Sequence, residues 1–147
     1  MIHEATVEEI PGIVRFMKQF EQVSGNIKVD IEYATKRYVN MVTAGVAHMF
    51  VMNDEKGDMI GGLGCIVAPD LTNSRIMAIE TYWFMAPGDR GKGISLLTYF
   101  EQWAKERGID AVAMIHLNDS YPKALERLYI RRGYVPIETH YVKELRI

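Results

Sequence analysis

Apolar residues along this chain change their period several times, and each change marks an element. Ile10, Ile13, Val14, Met17 and Phe20 recur at the spacing of one helical face. Ahead of them Thr6-Val7-Glu8-Glu9 has the form of a capping box, and Pro11 suits a first turn, where its missing N–H costs little. Ser24-Gly25-Asn26 breaks that helix. Asp30 can cap a second helix, with Ile31, Ala34, Tyr38, Met41 and Val42 on one face and Gly45 as its stop. Residues 2–5 read as a short first strand. Residues 46–52 and 59–68 flank a polar turn and read as a hairpin. Residues 75–86 are a further strand, 96–107 an amphipathic helix closed by Gly108, and 111–117 another apolar strand. Strand, helix and strand in that order predict a parallel pair with a right-handed crossover. A turn at 118–122 leads into a helix through Arg132, ended by Gly133, and residues 134–136 and 138–147 predict two closing strands. The order is β-α-α-β-β-β-α-β-α-β-β, one α+β domain over residues 1–147.

Composition narrows the function classes. A chain of 147 residues, about half apolar, suits one domain with a real core. Its net charge of −2 gives no basic excess to suggest nucleic acid or an anionic membrane as partner. The single cysteine, Cys65, excludes an internal disulfide and sits in an apolar run, which predicts a buried, reduced thiol. The longest near-apolar run, residues 59–68, is too short to cross a bilayer, and the first residues lack the pattern of a signal peptide. A cytoplasmic protein is the expectation. The histidines, His3, His48, His116 and His140, lack metal-ligand spacing, so no metal is expected.

The chemistry concentrates in Pro87-Gly88-Asp89-Arg90-Gly91-Lys92-Gly93-Ile94-Ser95. A glycine-rich turn between a strand and a helix points free backbone N–H groups at one spot, at the positive end of the helix dipole, and such a spot binds phosphate. The pattern is R-x-x-G-x-[G/A] with Ser95 in the last place; it is neither a P-loop nor a dinucleotide fingerprint. Gly61, Gly62 and Gly64 inside the returning strand mark a bulge, the close approach of another backbone or a ligand, or loose packing against a helix. In the last helix, Leu128-Tyr129 is followed by Gly133-Tyr134.

Taken together, these motifs resemble the GNAT superfamily of acyl-CoA-dependent N-acetyltransferases, over nearly the whole chain. Residues 5–11 look like that family's first loop and helix. Trp83-Phe84-Met85-Ala86-Pro87 looks like its L-x-V-x-P strand end, residues 90–95 like its pyrophosphate loop, and Leu128 to Tyr134 like its L-Y-x-x-x-G-F. Residues 138–143 are also similar to small GNAT proteins of phage and prophage genomes. The resemblance implies the GNAT fold, a mixed central sheet with helices on both faces. It implies acetyl-CoA as co-substrate and direct transfer to an amine acceptor, either a small molecule or a protein. The pantetheine arm would pair with the backbone of Trp83, Phe84 and Met85. The pyrophosphate would lie on Arg90, Gly91, Lys92, Gly93, Ile94 and Ser95. Tyr129 would protonate the sulfur. Asn118 or Ser120 would replace a contact that the family makes where this chain has Pro122. A homodimer through the final hairpin is a further expectation by analogy.

The base is open from sequence. Glu80, in an otherwise uncharged strand, is either a desolvated general base or a structural carboxylate, and His116 competes for the role. The acceptor would approach from the first two helices and the final hairpin, where Phe20, Tyr33, Tyr82, Glu138, His140 and Tyr141 are candidates or simply packing. Two further classes stay open: a non-catalytic module that binds CoA or a protein, and a nucleotide-binding enzyme.

Overall fold

In the computed structural model, five strands form one sheet in the order β1-β2-β3-β4-β5. They are β1 (Ile2–Glu4), β2 (Ala47–Asn53), β3 (Met59–Pro69), β4 (Ile76–Met85) and β5 (Ala111–Ala113). The first four run antiparallel to their neighbours, and β5 runs parallel to β4, as a strand-helix-strand unit requires. The structure describes residues 1–19, 28–115 and 122–146. They belong to two compact units, Met1–Ile115 and His116–Ile147.

In the first unit, helices cover both faces of the sheet. Helix α1 (Ile10–Gln19) follows a 3-10 turn in which the Thr6 backbone N–H donates to Glu9 Oε1 at 3.0 Å, the expected capping box. Its apolar stripe, Ile10, Ile13, Val14 and Met17, is buried against Met49, Val51, Tyr82 and Phe84. Each such side chain contributes about 1.5–3 kcal/mol. Phe20 and the break at 24–26 lie outside the described residues. Helix α2 (Ile31–Thr43) starts at Asp30, whose carboxylate accepts the Tyr33 N–H at 3.0 Å. It ends before Gly45, held at φ +76°. Ala34, Tyr38, Val39 and Val42 pack on the same core, half-buried. On the opposite face lies α3 (Gly93–Glu106), with Leu96, Leu97, Phe100 and Trp103 buried. Phe50 of β2 meets Tyr99, Phe100 and Trp103 there, at ring distances of 5.0–6.0 Å.

The register explains the strand glycines. The ring of Tyr82 lies directly over Gly62 and Gly64, and the Met85 sulfur lies over Gly61. Side chains of β4 fill that space, and at Gly62 the Phe50 carbonyl of β2 also comes close, at 3.2 Å from where a Cβ would be. Between the pairs Gly64↔Tyr82 and Cys65↔Glu80 the ladder slips by one, leaving Thr81 as the extra residue of a β-bulge. Just before the bulge β4 also loses its other neighbour. The ladder with β5 joins Met77, Ala78 and Ile79 to Ala111, Val112 and Ala113 and goes no further. From Glu80 to Met85, β4 therefore pairs with β3 alone among the described residues.

The second unit contains α4 (Pro122–Arg131), closed by Gly133 at φ +87°. The Tyr134 N–H donates to the Tyr129 carbonyl at 2.9 Å, satisfying a helix-end acceptor. The two closing strands expected at 134–136 and 138–147 are not formed among the described residues. Their alternation of apolar and polar positions is genuine, but Val135, Ile137, Tyr141, Val142 and Leu145 are exposed. A period of two marks a strand only when a neighbour takes its backbone groups.

Candidate functional site

The site grows out of the place where β4 loses β5. Glu80 stands there, 6% exposed, the sole buried charged side chain among the described residues. Burial pushes its carboxyl up to about 8, opposed in part by a hydrogen bond from the Ile115 backbone. Ile115 follows β5 in the chain, so this one carboxyl reaches from the last paired part of β4 to the segment that departs from it. A carboxyl in this setting can hold a proton at neutral pH and release it at mildly alkaline pH.

Beyond Glu80 runs the unpaired edge of β4, which carries Trp83, Phe84 and Met85. Phe84 is buried, stacked on Tyr82 with ring centroids 5.8 Å apart, so it offers a ligand only its backbone. Trp83 and Met85 lie against Gly93, at the start of α3. The Trp83 indole N–H is buried and has no acceptor among the described residues. An orphan donor beside a strand edge unpaired among the described residues fits an amide-bearing ligand, which would satisfy both.

The turn before α3 differs from the expectation. Residues Pro87–Lys92 form a 3-10 helix that runs straight into α3. The Asp89 N–H donates to Ala86 at 2.9 Å, and the Gly93 N–H donates to Arg90. The turn was expected to present free N–H groups; here they are spent on its own carbonyls, as 3-10 geometry dictates. Arg90, Gly91, Lys92, Ile94 and Ser95 are exposed, whereas Gly93 is buried. Lys92 Nζ sits 3.0 Å from Asp89 Oδ1, and that carboxylate raises the lysine's pKa. Ser95 lies with Lys92 and Tyr99 along an open groove facing the β2–β3 hairpin.

Tyr129 belongs to the second unit. It is 8% exposed, with its ring 5.4 Å from that of Tyr134. His116, Asn118 and Ser120 lie outside the described residues. Among the acceptor-side candidates, Tyr82 is a core residue, its hydroxyl pushed far up by burial. Tyr33 is exposed on α2, and Tyr141 is almost fully exposed in the second unit. Phe20 lies outside the described residues. Glu138 and His140 are an exposed ion pair at 3.6 Å. Cys65 is buried as expected, its thiol pushed up to about 12, chiefly by desolvation. No helix among the described residues is long and apolar enough to cross a membrane.

Sequence reasoning missed three participants: the Asp89 carboxylate, the Trp83 indole N–H and the Ile115 backbone. Only the first had a signal, an acid and a base three residues apart on one helical turn.

These features define a class. Residues 16–134 match the acetyltransferase (GNAT) family, and the chain belongs to it. Among solved structures, a predicted acetyltransferase with acetyl-CoA from Clostridium acetobutylicum aligns at TM-score 0.76 and 18% identity, covering 99% of this chain and 96% of that one. An aminoglycoside acetyltransferase from an uncultured soil metagenomic sample, in complex with sisomicin, aligns at 0.77 and 19%, covering 99% and 96%. A ribosomal-protein-alanine N-acetyltransferase from Brucella melitensis biovar Abortus aligns at 0.74 and 16%, covering 99% of each. At such identities the likeness is one of fold. The search of curated proteins finds no match. The expected similarity to phage and prophage proteins rested on residues 138–143, which lie beyond the matched family range, and none of these comparisons shows it.

Proposed function

We propose that this chain transfers an acetyl group from acetyl-CoA directly to an amine, with Glu80 as general base and Tyr129 as general acid. One observation carries the reading: a buried carboxyl, poised at about 8, sits where β4 and β5 part. Family membership supplies the context.

The backbone of Trp83, Phe84 and Met85 would hold the pantetheine arm, an extended amide chain pairing along the edge of β4 that no described strand covers. Arg90, Gly91, Lys92, Gly93, Ile94 and Ser95 would hold the pyrophosphate, and Asn118 or Ser120 would add a contact to the pantetheine arm. Acetyl-CoA supplies the acyl group as a thioester. Glu80, once ionised, accepts the proton that the amine gives up. The Tyr129 hydroxyl donates the proton that the sulfur needs on leaving; this role rests on its place in the motif. A Cys65 thiol held at about 12 stays protonated and is a poor nucleophile, which favours direct transfer over an acyl-cysteine. Solved relatives include an aminoglycoside acetyltransferase and a ribosomal-protein-alanine N-acetyltransferase, so the amine panel should include both kinds of acceptor.

The test is release of free thiol from acetyl-CoA over that panel, from pH 6 to 9.5. The expected rate climbs through an apparent pKa near 8. Glu80→Gln should lower it about 100-fold and remove the climb, while Tyr129→Phe should slow turnover with CoA binding kept. Undiminished rates in both variants would overturn the assignment. Binding of CoA with no turnover on any amine would instead favour a non-catalytic module.

The same carboxyl is linked to folding. Its pKa is about 8 folded against an ordinary 4.5, so the folded state holds an extra proton between those values. Its contribution to stability is complete below about 4.5 and is lost as pH rises towards 8. Glu80→Gln keeps an oxygen for the Ile115 N–H and cannot ionise. Its melting temperature should therefore gain on that of the wild type across the window and hold a constant lead above it.

A further inference from the structure

We infer that Asp89 is an internal competitor for the phosphate seat, so that a ligand must displace its carboxylate from Lys92 to bind. The inference rests on the acyl-CoA reading and deepens it.

Three observations carry it. First, the turn is closed on itself. Asp89 donates its N–H to Ala86, Gly93 donates to Arg90, and Pro87–Lys92 continues into α3 as one helical run. Second, the Asp89 carboxylate already provides Lys92 with the contact a phosphate oxygen would make, at 3.0 Å. The two residues are one 3-10 turn apart, so the ion pair also staples the closed form. Third, a Cβ at Gly88 or Gly91 would meet nothing within 4 Å, so the flank of the turn is open to an approaching group. The Lys92 ammonium also feels Asp54 and Glu55 of the hairpin turn, but Asp89 is its first and largest partner.

A pyrophosphate diester brings a negative charge on each phosphate and acceptor oxygens for the ammonium. Bound there, it meets an aspartate of like charge in the same turn. Asp89 therefore weakens binding twice, by occupying Lys92 and by repelling the ligand. Exposed pairs of this kind are screened by salt, so the effect belongs to low ionic strength.

The experiment is titration calorimetry with CoA itself on the wild type, Asp89→Asn, Lys92→Gln and the double variant, at low and high salt. Asp89→Asn should bind CoA about fivefold tighter at low salt, with the gain shrinking as salt rises. Lys92→Gln should bind more weakly, and on that background the Asp89→Asn gain should drop to the repulsive part alone, about twofold. If the wild type binds CoA and Asp89→Asn binds no tighter, the competitor role falls and the acyl-CoA reading stands. An equal gain with and without Lys92 also overturns the role, because it leaves repulsion as the whole effect. If neither the wild type nor any variant binds CoA, the acyl-CoA reading falls and takes this inference with it.

Discussion

In β3, a Cβ added to Gly64 would collide with the Tyr82 ring, and one added to Gly61 would collide with the Met85 sulfur. In the turn before α3, a Cβ added to Gly88 or Gly91 would touch nothing. Both stretches are three glycines in close succession, and in sequence they invite the same explanation. The structure separates them. In the strand the missing side chains make room for neighbours that the protein itself supplies. In the turn the room is left open. Gly93 closes the turn's series but behaves like a strand glycine, since Met85 and Trp83 already stand 3.2 and 3.4 Å from where its Cβ would be.

Substitutions to alanine or valine test that contrast directly. Gly64→Ala should be the most damaging, costing about 3 kcal/mol in urea unfolding. Its collision is with an aromatic ring held between Phe84 and the edge of Tyr38. A cost below about 1 kcal/mol would mean that the Tyr82 ring is free to move. Gly61→Ala should cost less, about 1–2 kcal/mol, because the opposing atoms end a flexible methionine. Gly93→Val should cost roughly 1 kcal/mol by crowding Met85 and Trp83, and should shift tryptophan fluorescence. Any loss of CoA affinity in that variant then has a packing component. Gly91→Ala should leave unfolding within about 0.5 kcal/mol of wild type, yet weaken CoA binding if the ligand's phosphates approach the backbone there. A stability loss at Gly91 as large as that at Gly64 would erase the distinction.

Much of the fold was legible because the signals are local. The capping box at Thr6, the Asp30 cap, the stops at Gly45, Gly108 and Gly133 and the helical stripes of α1 and α3 all appear as expected. Each depends on residues within a few positions of one another. The expectation for 134–147 failed for the opposite reason. Alternating apolar residues announce a strand, but a strand exists only when its backbone is paired, and pairing is a long-range event. The turn at 87–92 failed more subtly. Its composition shows that the backbone can present free N–H groups, and cannot show that Asp89 and the run into α3 draw it into a closed helical form.

What this sequence determined alone is the order and type of its helices and central strands and, through Arg90 to Ser95 and Leu128 to Tyr134, a likeness to a family to which the chain does belong. What the tertiary structure decided is the environment of the Glu80 carboxyl. In the sequence Glu80 stands out only as the one charge in an apolar strand, and whether it is desolvated stays open there. Its carboxyl rises to about 8 because folding buries it just where β4 parts from β5. Desolvation is a property of everything that surrounds a group, so it depends on residues distant in the chain.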